Sequence, residues 1–333
     1  MAKSENQKKP PRPKSRAVAT EPSIGSISPV EVASDKDSVD RLLHSDYALW
    51  HGAVETMLEA LPAAPLFDLV VTSPPYNIGK DYETQTALDE YLQKQCRVID
   101  LLMPRVKPGG SVCWQVGNYV VENEIFPLDI EFAPIFKKHG LQLRNRVVWK
   151  FGHGLHAKKR FSGRYEVVMW YTTPSPTPAA YTFNLDAVRV PAKYPGKRHF
   201  KGPKAGQLSG HPLGKNPEDV WEIPNVKNNH CEKTIHPCQF PVGLIERLVL
   251  ALTNPRDLVF DPYAGVASAG VAAAVHGRRF WGAETQAEYV TVGAHRIEQA
   301  LTGNAAYRPH NVPLYDHTQS SLSQVPTERK QRA

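Results

Sequence analysis

Ser73-Pro74-Pro75-Tyr76 joins two hydrogen-bond acceptors to a flat aromatic ring on a stiff piece of backbone. Proline fixes φ near −65° and carries no N–H, so two in succession leave nearby carbonyls without a local donor. The Ser73 hydroxyl oxygen and the Pro74 carbonyl are suited to accept hydrogen bonds from an amino group. Tyr76 offers a face on which a planar base can stack. An ordinary proline turn with a packing tyrosine would look the same in isolation. Average composition, however, puts Ser-Pro-Pro-Tyr in roughly one to a few chains per thousand of this size. Here it also follows Leu69 to Val71, an apolar run that reads as a buried strand.

A second constellation lies far along the chain. Leu258 to Phe260, Asp261-Pro262-Tyr263-Ala264-Gly265 and Ser268 to Gly270 read as strand, tight loop and helix. Glycine lets a backbone approach a ligand, and a helix N-terminus favours an electronegative group. Glu284 ends the following strand, nineteen residues after Gly265. An acid at about that spacing holds ribose hydroxyls in dinucleotide folds. The loop lacks the G-x-G-x-x-G spacing, which argues against NAD. Just upstream, Lys233-Thr234-Ile-His236-Pro237 runs to Pro241 and into a helix. A helix-entry turn explains the two prolines but not the whole string.

These residues need elements to position them. Strands are expected at Tyr47–Trp50, 69–71, Ser111–Val116, Leu143–Lys150, Glu166–Thr172, Asp257–Phe260 and Phe280–Ala283. Helical spacing of apolar residues is expected over Val54–Leu61, within Asp81–Pro104, over Ile125–Lys138 with a break near Pro134, and over Val242–Ala251, Val271–Val275 and Ala287–Leu301. Lys107-Pro-Gly-Gly110 reads as a turn. Strands alternating with helices indicate an α/β protein, a mostly parallel sheet covered on both faces.

Residues 174–230 break this pattern, with dense proline and glycine. No acid occurs between Ala187 and Pro217, while Arg189, Lys193, Lys197, Arg198, Lys201, Lys204 and Lys215 are basic, interleaved with Tyr194, His199 and Phe200. A long, one-signed, aromatic-containing insertion suits neutralised phosphates and contacted bases better than it suits a bland surface loop. The net charge of +7 over 333 residues agrees with a polyanionic partner but does not prove one. Residues 1–38 are expected to be a disordered basic tail, either a DNA-seeking arm or a solvated end, and 304–333 a polar tail. Cys231 and Cys238 flank His230 and His236 in a spacing that fits no common zinc site, so no metal is expected. No signal peptide, disulfide framework or apolar run of membrane-spanning length is visible, which points to the cytoplasm.

The Ser73–Tyr76 turn resembles the (Asp/Asn/Ser)-Pro-Pro-(Tyr/Phe/Trp) catalytic motif of DNA methyltransferases that modify exocyclic amino groups. The 261–267 loop resembles the Asp-Pro-Phe-x-Gly-x-Gly stretch by which that family holds S-adenosylmethionine. Tyr263 stands for the Phe, Gly265 for the first glycine and Ala267 for the second. Lys233 to Pro241 resembles the Lys-x-x-His-Pro-x-x-x-Pro segment over the methionine end of the cofactor. Arg105–Gly110 and Arg160–Trp170 resemble the turn that follows the helix after the catalytic motif and a stretch that shapes the target-base pocket. One departure is Ala53, where the family commonly has an acid facing the adenine side of the cofactor; Glu55 and Asp46 are the candidate substitutes.

The resemblance covers residues 44–301, with the catalytic motif first and the cofactor loop last, the permuted arrangement called the β group. It implies a seven-stranded, Rossmann-like methyltransferase sheet. A catalytic half would span 39–173, a target-recognition insertion 174–230, and a cofactor-binding half 231–303. It implies catalytic roles for Ser73, Pro74, Pro75 and Tyr76. It implies S-adenosylmethionine contacts from Asp261, Pro262, Tyr263, Gly265, Ser268, Glu284, Lys233, Thr234, His236 and Pro237. Partners would be double-stranded DNA and a restriction endonuclease acting on the same site, with the chain a monomer or homodimer. Serine at the first motif position favours cytosine N4 as target over adenine N6. Methylation of an RNA amine or a protein glutamine fits the motif but not its order in the chain. A non-catalytic DNA-binding regulator fits the charge but not the intact turn.

Overall fold

The computed structural model describes residues 30–77, 86–122, 124–152, 154, 156–177 and 180–316. The outer parts of both expected tails, and Ile78 and Gly79 after the Ser73–Tyr76 turn, lie outside the described residues.

In chain order the elements are β1 (Glu31–Ala33), α1 (Val39–His44), β2 (Tyr47–His51), α2 (Val54–Ala60), β3 (Phe67–Thr72), α3 (Leu88–Leu102), β4 (Val106–Val116), the hairpin β5 (Asn118–Val121) and β6 (Glu124–Pro127), α4 (Leu128–Lys138), β7 (Gln142–Lys150), β8 (Tyr165–Thr172), α5 (Leu185–Val188), β9 (Val220–Glu222), α6 (Val242–Leu252), β10 (Leu258–Asp261), α7 (Ser268–Val275), β11 (Arg279–Glu284) and α8 (Ala287–Leu301).

One sheet runs β1-β2-β11-β10-β3-β4-β8-β7-β9. Neighbours are parallel from β1 through to β4, and β8 is antiparallel to both β4 and β7. The expected seven strands are therefore present, and short edge strands extend them on both sides. Edge strand β1 falls inside the stretch expected to be a disordered tail. Val30 and Ala33 are buried, and β1 pairs with β2 in the register Val32↔Leu49, so ordered structure begins before residue 38. Edge strand β9 falls inside the insertion and pairs in parallel with β7, Trp221 opposite Trp149.

Alternation along the central strands sorts side chains to two cores. Leu69, Val71, Cys113, Val259 and Phe280 face α6, α7 and α8. Val70, Val112, Trp114, Phe260 and Trp281 face the other way, toward α2, α3 and α4. Strands buried on both faces read as continuous apolar runs, which is why β3 and β10 stand out in the sequence. Phe67 stacks on Phe260 with ring centroids 4.3 Å apart, and both are fully buried.

Three further expectations change. Lys107-Pro-Gly-Gly110 is not a turn: β4 runs through it as a bulge, the six residues Val106 to Ser111 lying against only three, Phe67 to Leu69. Gly109 permits this with φ +75° and a backbone approach to Ala180 that leaves no room for a Cβ. Helix α4 starts at Leu128, after β6, and runs unbroken through Pro134. The polar segment after Gly303 is not a free tail where it is described. Arg308 donates its N–H to Glu232 at 3.0 Å, and His310 donates its N–H to buried Glu246 at 2.6 Å. Burial alone would raise the Glu246 pKa, but hydrogen bonds from His276 and His310 outweigh it and hold it down to about 2. Polar residues that serve buried carboxylates give no apolar signal, so composition could not reveal this clasp.

Phe67→Ala should lose about 3–5 kcal/mol of stability, the usual cost of deleting a fully buried ring. Denaturant unfolding monitored by circular dichroism measures it; a loss below about 1 kcal/mol would show that the sheet centre repacks.

Candidate active site

Strands β3 and β10 are hydrogen-bonded neighbours at the middle of the sheet, with Leu69 opposite Val259 and Val70 opposite Phe260. From β3 the chain crosses through α3 to β4 on one side; from β10 it crosses through α7 to β11 on the other. This is a topological switch point, where the loops leaving two adjacent strands diverge and open a crevice. The Ser73–Tyr76 turn leaves β3 there, and the Pro262–Ala267 loop leaves β10. Thr72 Oγ1 donates to Asp261 Oδ1 at 2.6 Å and joins the two loops at their roots.

A cavity of about 540 Å³ occupies the crevice. Ser73, Pro74, Pro75 and Tyr76 line one side; Asp261, Pro262, Tyr263, Gly265, Ser268 and Glu284 line the other; His236 and Pro237 close over it. All of these sequence-nominated residues are thus brought together. Lys233 and Thr234 are not on the cavity wall. Lys233 Nζ donates to the His236 carbonyl at 2.5 Å, and the Thr234 hydroxyl donates to Gln239 Oε1 at 2.8 Å, so both shape the loop that carries His236.

The turn is held from outside. Tyr91 Oη donates to the Pro75 carbonyl at 2.7 Å. Asn77 takes a left-handed conformation (φ +60°), its side chain exchanging two hydrogen bonds of 2.7 Å with the Thr86 backbone. Tyr76 is half-buried, and its hydroxyl meets Gln115 Oε1 at 2.7 Å and Glu166 Oε2 at 3.2 Å. Burial, with the charge of Glu166 added, pushes the Tyr76 pKa well above its usual value. Burial raises Glu166 to about 7 against the opposing hydrogen bonds of Gln115 and Tyr76.

The cofactor side is a loop of unusual backbone. Gly265 (φ +52°) and Ala267 (φ +55°) are both left-handed, and α7 begins at Ser268. A Cβ on Gly265 would stand 3.3 Å from His236 Nε2. The Gly265 N–H donates to Glu284 Oε2 at 3.0 Å, while Gln286 N–H donates to Oε1 at 2.7 Å. Buried Arg296 donates to the Val266 carbonyl and to Ser268 Oγ, holding the loop from below. Burial raises Asp261 to about 7, offset in part by Thr72 and the Tyr263 N–H. Burial, aided by Lys233 and Arg296, lowers His236 to about 4, so it stands neutral beside the Tyr289 ring at 4.7 Å. Of the two substitutes for the acid missing at Ala53, Glu55 lines the cavity. Asp46 is held in a bidentate pair with Arg256 at the far end of β2, 2.7 and 3.0 Å.

A DNA methylase family profile matches residues 67–295. The chain belongs to the N6/N4 DNA methylase family. This methylase is 49% identical over 246 residues to the type II methyltransferase M.BglII of Bacillus subtilis, covering 73% of this chain and 67% of that one. It is 32% identical over 254 residues to the DNA adenine methyltransferase YhdJ of Escherichia coli K12, covering 75% and 82%. Its fold matches PvuII DNA methyltransferase, cytosine-N4-specific, with a TM-score of 0.59 at 19% identity over 82% of this chain and 95% of that one. The cofactor of the methylase is S-adenosylmethionine. The site fits it: an extended cavity, a carboxylate at a strand end, glycine-permitted backbone at a helix N-terminus and a neutral imidazole. Glu284, His236, Asp261 and the Gly265 loop are the residues that would hold it.

The basic insertion of the methylase has a neck and an outer loop. Val190 and Lys215 exchange backbone hydrogen bonds of 3.0 and 2.8 Å. The two acids that bound the basic run close the neck: Asp186 pairs with Arg189 at 2.6 Å, and Glu218 with Lys215. Arg189 also donates to the Gly214 carbonyl. Arg198 donates to the Gly206 carbonyl at 2.5 Å and secures a hairpin-like turn in which Arg198 bridges Leu208. Lys193, Lys197, Lys201 and Lys204 remain exposed, and Phe200 is 90% exposed. Of the seven nominated cations, Arg189, Arg198 and Lys215 have hydrogen-bond or ion-pair partners; Lys193 and Lys201 lie 5.5 and 5.9 Å from the ring centroids of Tyr194 and Phe200, and these two with Lys197 and Lys204 are exposed.

Gln115 and Tyr289 were not legible as site residues. Gln115 did leave a signal, a lone polar side chain in the apolar run Val112-Cys113-Trp114-Gln115-Val116 at a strand's C-terminal end. Tyr289 sits in an ordinary helical pattern that says nothing of His236.

Gly265→Ala should cut S-adenosylmethionine affinity at least about fivefold, because a left-handed alanine costs about 1 kcal/mol or more and its Cβ crowds His236. Calorimetric titration measures this; unchanged affinity would mean that the loop relaxes freely. Replacing Lys197, Lys201 and Lys204 by Ala should reduce the slope of log affinity for DNA against log salt by about 2–3, at ~0.9 per phosphate lost. An unchanged slope would remove the outer loop from the phosphate interface.

Proposed function

We propose that this methyltransferase transfers the methyl group of S-adenosylmethionine to the exocyclic amine of a flipped base in double-stranded DNA, with cytosine N4 the favoured target. The observation that carries this reading is one cavity walled on one side by Ser73 and Tyr76 and on the other by Asp261, Gly265 and Glu284. The bound cofactor supplies a sulfonium methyl group that a nitrogen lone pair can attack.

An amine inside a duplex is out of reach of such a crevice, so the base must leave the stack. Tyr76 stacks on the base. Ser73 Oγ and the Pro74 carbonyl accept its two amino hydrogens and turn the nitrogen lone pair out of conjugation with the ring. Trp149, Phe151 and Phe240 give the cavity an apolar wall that keeps water from the nitrogen. No covalent enzyme intermediate is required. Cys113 is fully buried in the sheet with its thiol pushed far above its usual pKa by burial, unsuited to act as a nucleophile. Positioning and preorganised acceptors supply the rate. The outward lysines of the insertion bind phosphates, and base-edge contacts from the same region select the site.

Cytosine N4 is supported by serine at the first motif position, the residue more often found in cytosine-N4 enzymes. The second reading, adenine N6, is supported by the 32% identity to a DNA adenine methyltransferase. Type II relatives support a restriction endonuclease of the same specificity as a functional partner.

Unmethylated DNA incubated with the protein and S-adenosylmethionine, digested to nucleosides and weighed by mass spectrometry, should yield N4-methylcytosine. N6-methyladenine would overturn the choice of base and keep the site; no methylated base on DNA of varied sequence would overturn the reading. Tyr76→Ala should lower turnover by about 5- to 150-fold, the worth of about 1–3 kcal/mol of base stacking, with cofactor affinity within about twofold. Lost cofactor binding would place Tyr76 elsewhere in the reaction.

A further inference from the structure

Four side chains on the cavity wall form one hydrogen-bonded row. Ser73 Oγ donates to Tyr76 Oη at 3.2 Å, Tyr76 Oη donates to Gln115 Oε1 at 2.7 Å, and Gln115 Nε2 donates to Glu166 Oε2 at 2.6 Å. Tyr76 Oη also lies 3.2 Å from Glu166 Oε2. The groups come from the turn after β3, from β4 and from β8, whose pairing sets Gln115 opposite Val168 near Glu166. A Cβ at Gly117 would stand 3.1 Å from the Tyr76 ring, so the ring and its partners are closely fitted.

The direction of the row follows from donor counting. An ionised carboxylate only accepts, so Gln115 must turn its amide nitrogen to Glu166 and its oxygen to Tyr76. A phenol has one hydrogen, so Tyr76 spends it on Gln115 or Glu166, and its oxygen is left to accept from Ser73. A serine hydroxyl also has one hydrogen. Once that hydrogen points at Tyr76, the lone pairs of Ser73 Oγ are what remain for a substrate.

We propose that Gln115 and Glu166 are positioning residues which, through the Tyr76 hydroxyl, commit the Ser73 hydrogen to the protein and make Ser73 an obligate acceptor for the substrate amine. This rests on the reading of Ser73 as the amine acceptor and deepens it. An Asp or Asn at this position accepts through an oxygen that carries no hydrogen; serine needs its hydrogen directed elsewhere. Unrestrained, the hydroxyl would turn its hydrogen toward the amine nitrogen and occupy the lone pair that the transfer uses. The row also gives the Tyr76 hydroxyl a task separate from that of the ring.

Glu166 holds the row's direction only when it cannot donate, so the arrangement is complete above its pKa of about 7 and weakens below it. Among the described residues the other titratable groups lining the cavity are Tyr76, Tyr263, Tyr289, Cys238, Asp261, Glu284, Glu55 and His236, of which Asp261 is also held near 7. Only the part of a pH profile that changes with Glu166 reports on the row.

Single-turnover rates at saturating DNA and S-adenosylmethionine isolate the transfer step. Ser73→Ala tests the underlying reading: an undiminished rate removes Ser73 from the chemistry. With that loss established, Tyr76→Phe keeps the ring and removes the oxygen. The rate is expected to fall about tenfold or more with the KM for DNA within about twofold, the pattern of an interaction used in the transition state. Ser73→Asp presents a carboxylate with no hydrogen to commit, so Tyr76→Phe added to it is expected to cost less than about twofold. An equal loss in the two backgrounds overturns the relay and leaves the role of Ser73 intact. If Ser73→Asp does not turn over, Glu166→Gln decides. Its rate profile is expected to lose the rise near pH 7 that the parent shows in excess of Asp261; a profile that Glu166→Gln does not alter overturns the proposal.

Discussion

The hydrogen bond of 2.6 Å from Thr72 to Asp261 spans 189 residues of chain and joins the two loops that make the site. It exists because β3 and β10 are neighbours, and they are neighbours because each is apolar on both faces and needs the centre of the sheet. The divergence of the chain on either side of this pair leaves a crevice that no side chain fills. The Ser73–Tyr76 turn and the Pro262–Ala267 loop are therefore held at one edge by the same constraint that orders the strands. Asp261 accepts the Thr72 hydroxyl and the Tyr263 N–H with one oxygen, so strand register, loop shape and site geometry are coupled at a single buried carboxyl.

Around that root the site divides by chemistry. The cofactor side is built from backbone: a left-handed glycine, a second left-handed residue, and N–H groups caught by Glu284. The substrate side is built from side chains whose oxygens are aligned by one another. Backbone N–H groups suit an electronegative ligand at a helix start. Side-chain acceptors suit an amine that must be oriented rather than merely bound. Burial raises the two acids nearest the turn, Asp261 and Glu166, to about 7. Positive charge is placed on the outer loop of the insertion, beyond a neck whose own cations are neutralised by Asp186 and Glu218.

The Ser73–Tyr76 turn, the Pro262–Ala267 loop, Glu284 and His236, which the fold brings to one cavity, stood out in the sequence because such positions take residue types that have few substitutes: consecutive prolines, a glycine at positive φ, an acid at a strand end. Central strands were legible for the same reason, since burial on two faces leaves an unbroken apolar run. The bulge at Pro108–Gly110 was not, because proline and glycine mark a turn and a bulge alike. The edge strands were not, because three residues buried on one side carry little pattern. The clasp of Arg308 on Glu232 and of His310 on Glu246 of α6 was not, because polar residues reveal partners only when the buried carboxylates that receive them are known.

The sequence by itself carried the family's motifs, the glycine loop after a strand, the order of the two motifs along the chain and the charge of the insertion, all properties of local residue type and spacing. Tertiary structure alone decided which of those residues meet. It separated Lys233 and Thr234 from the cavity, divided the insertion's cations between neck and outer surface, and brought Gln115 and Glu166 to the hydroxyl of Tyr76. Such pairings depend on which strands lie side by side, and strand adjacency is a long-range property that local spacing does not encode.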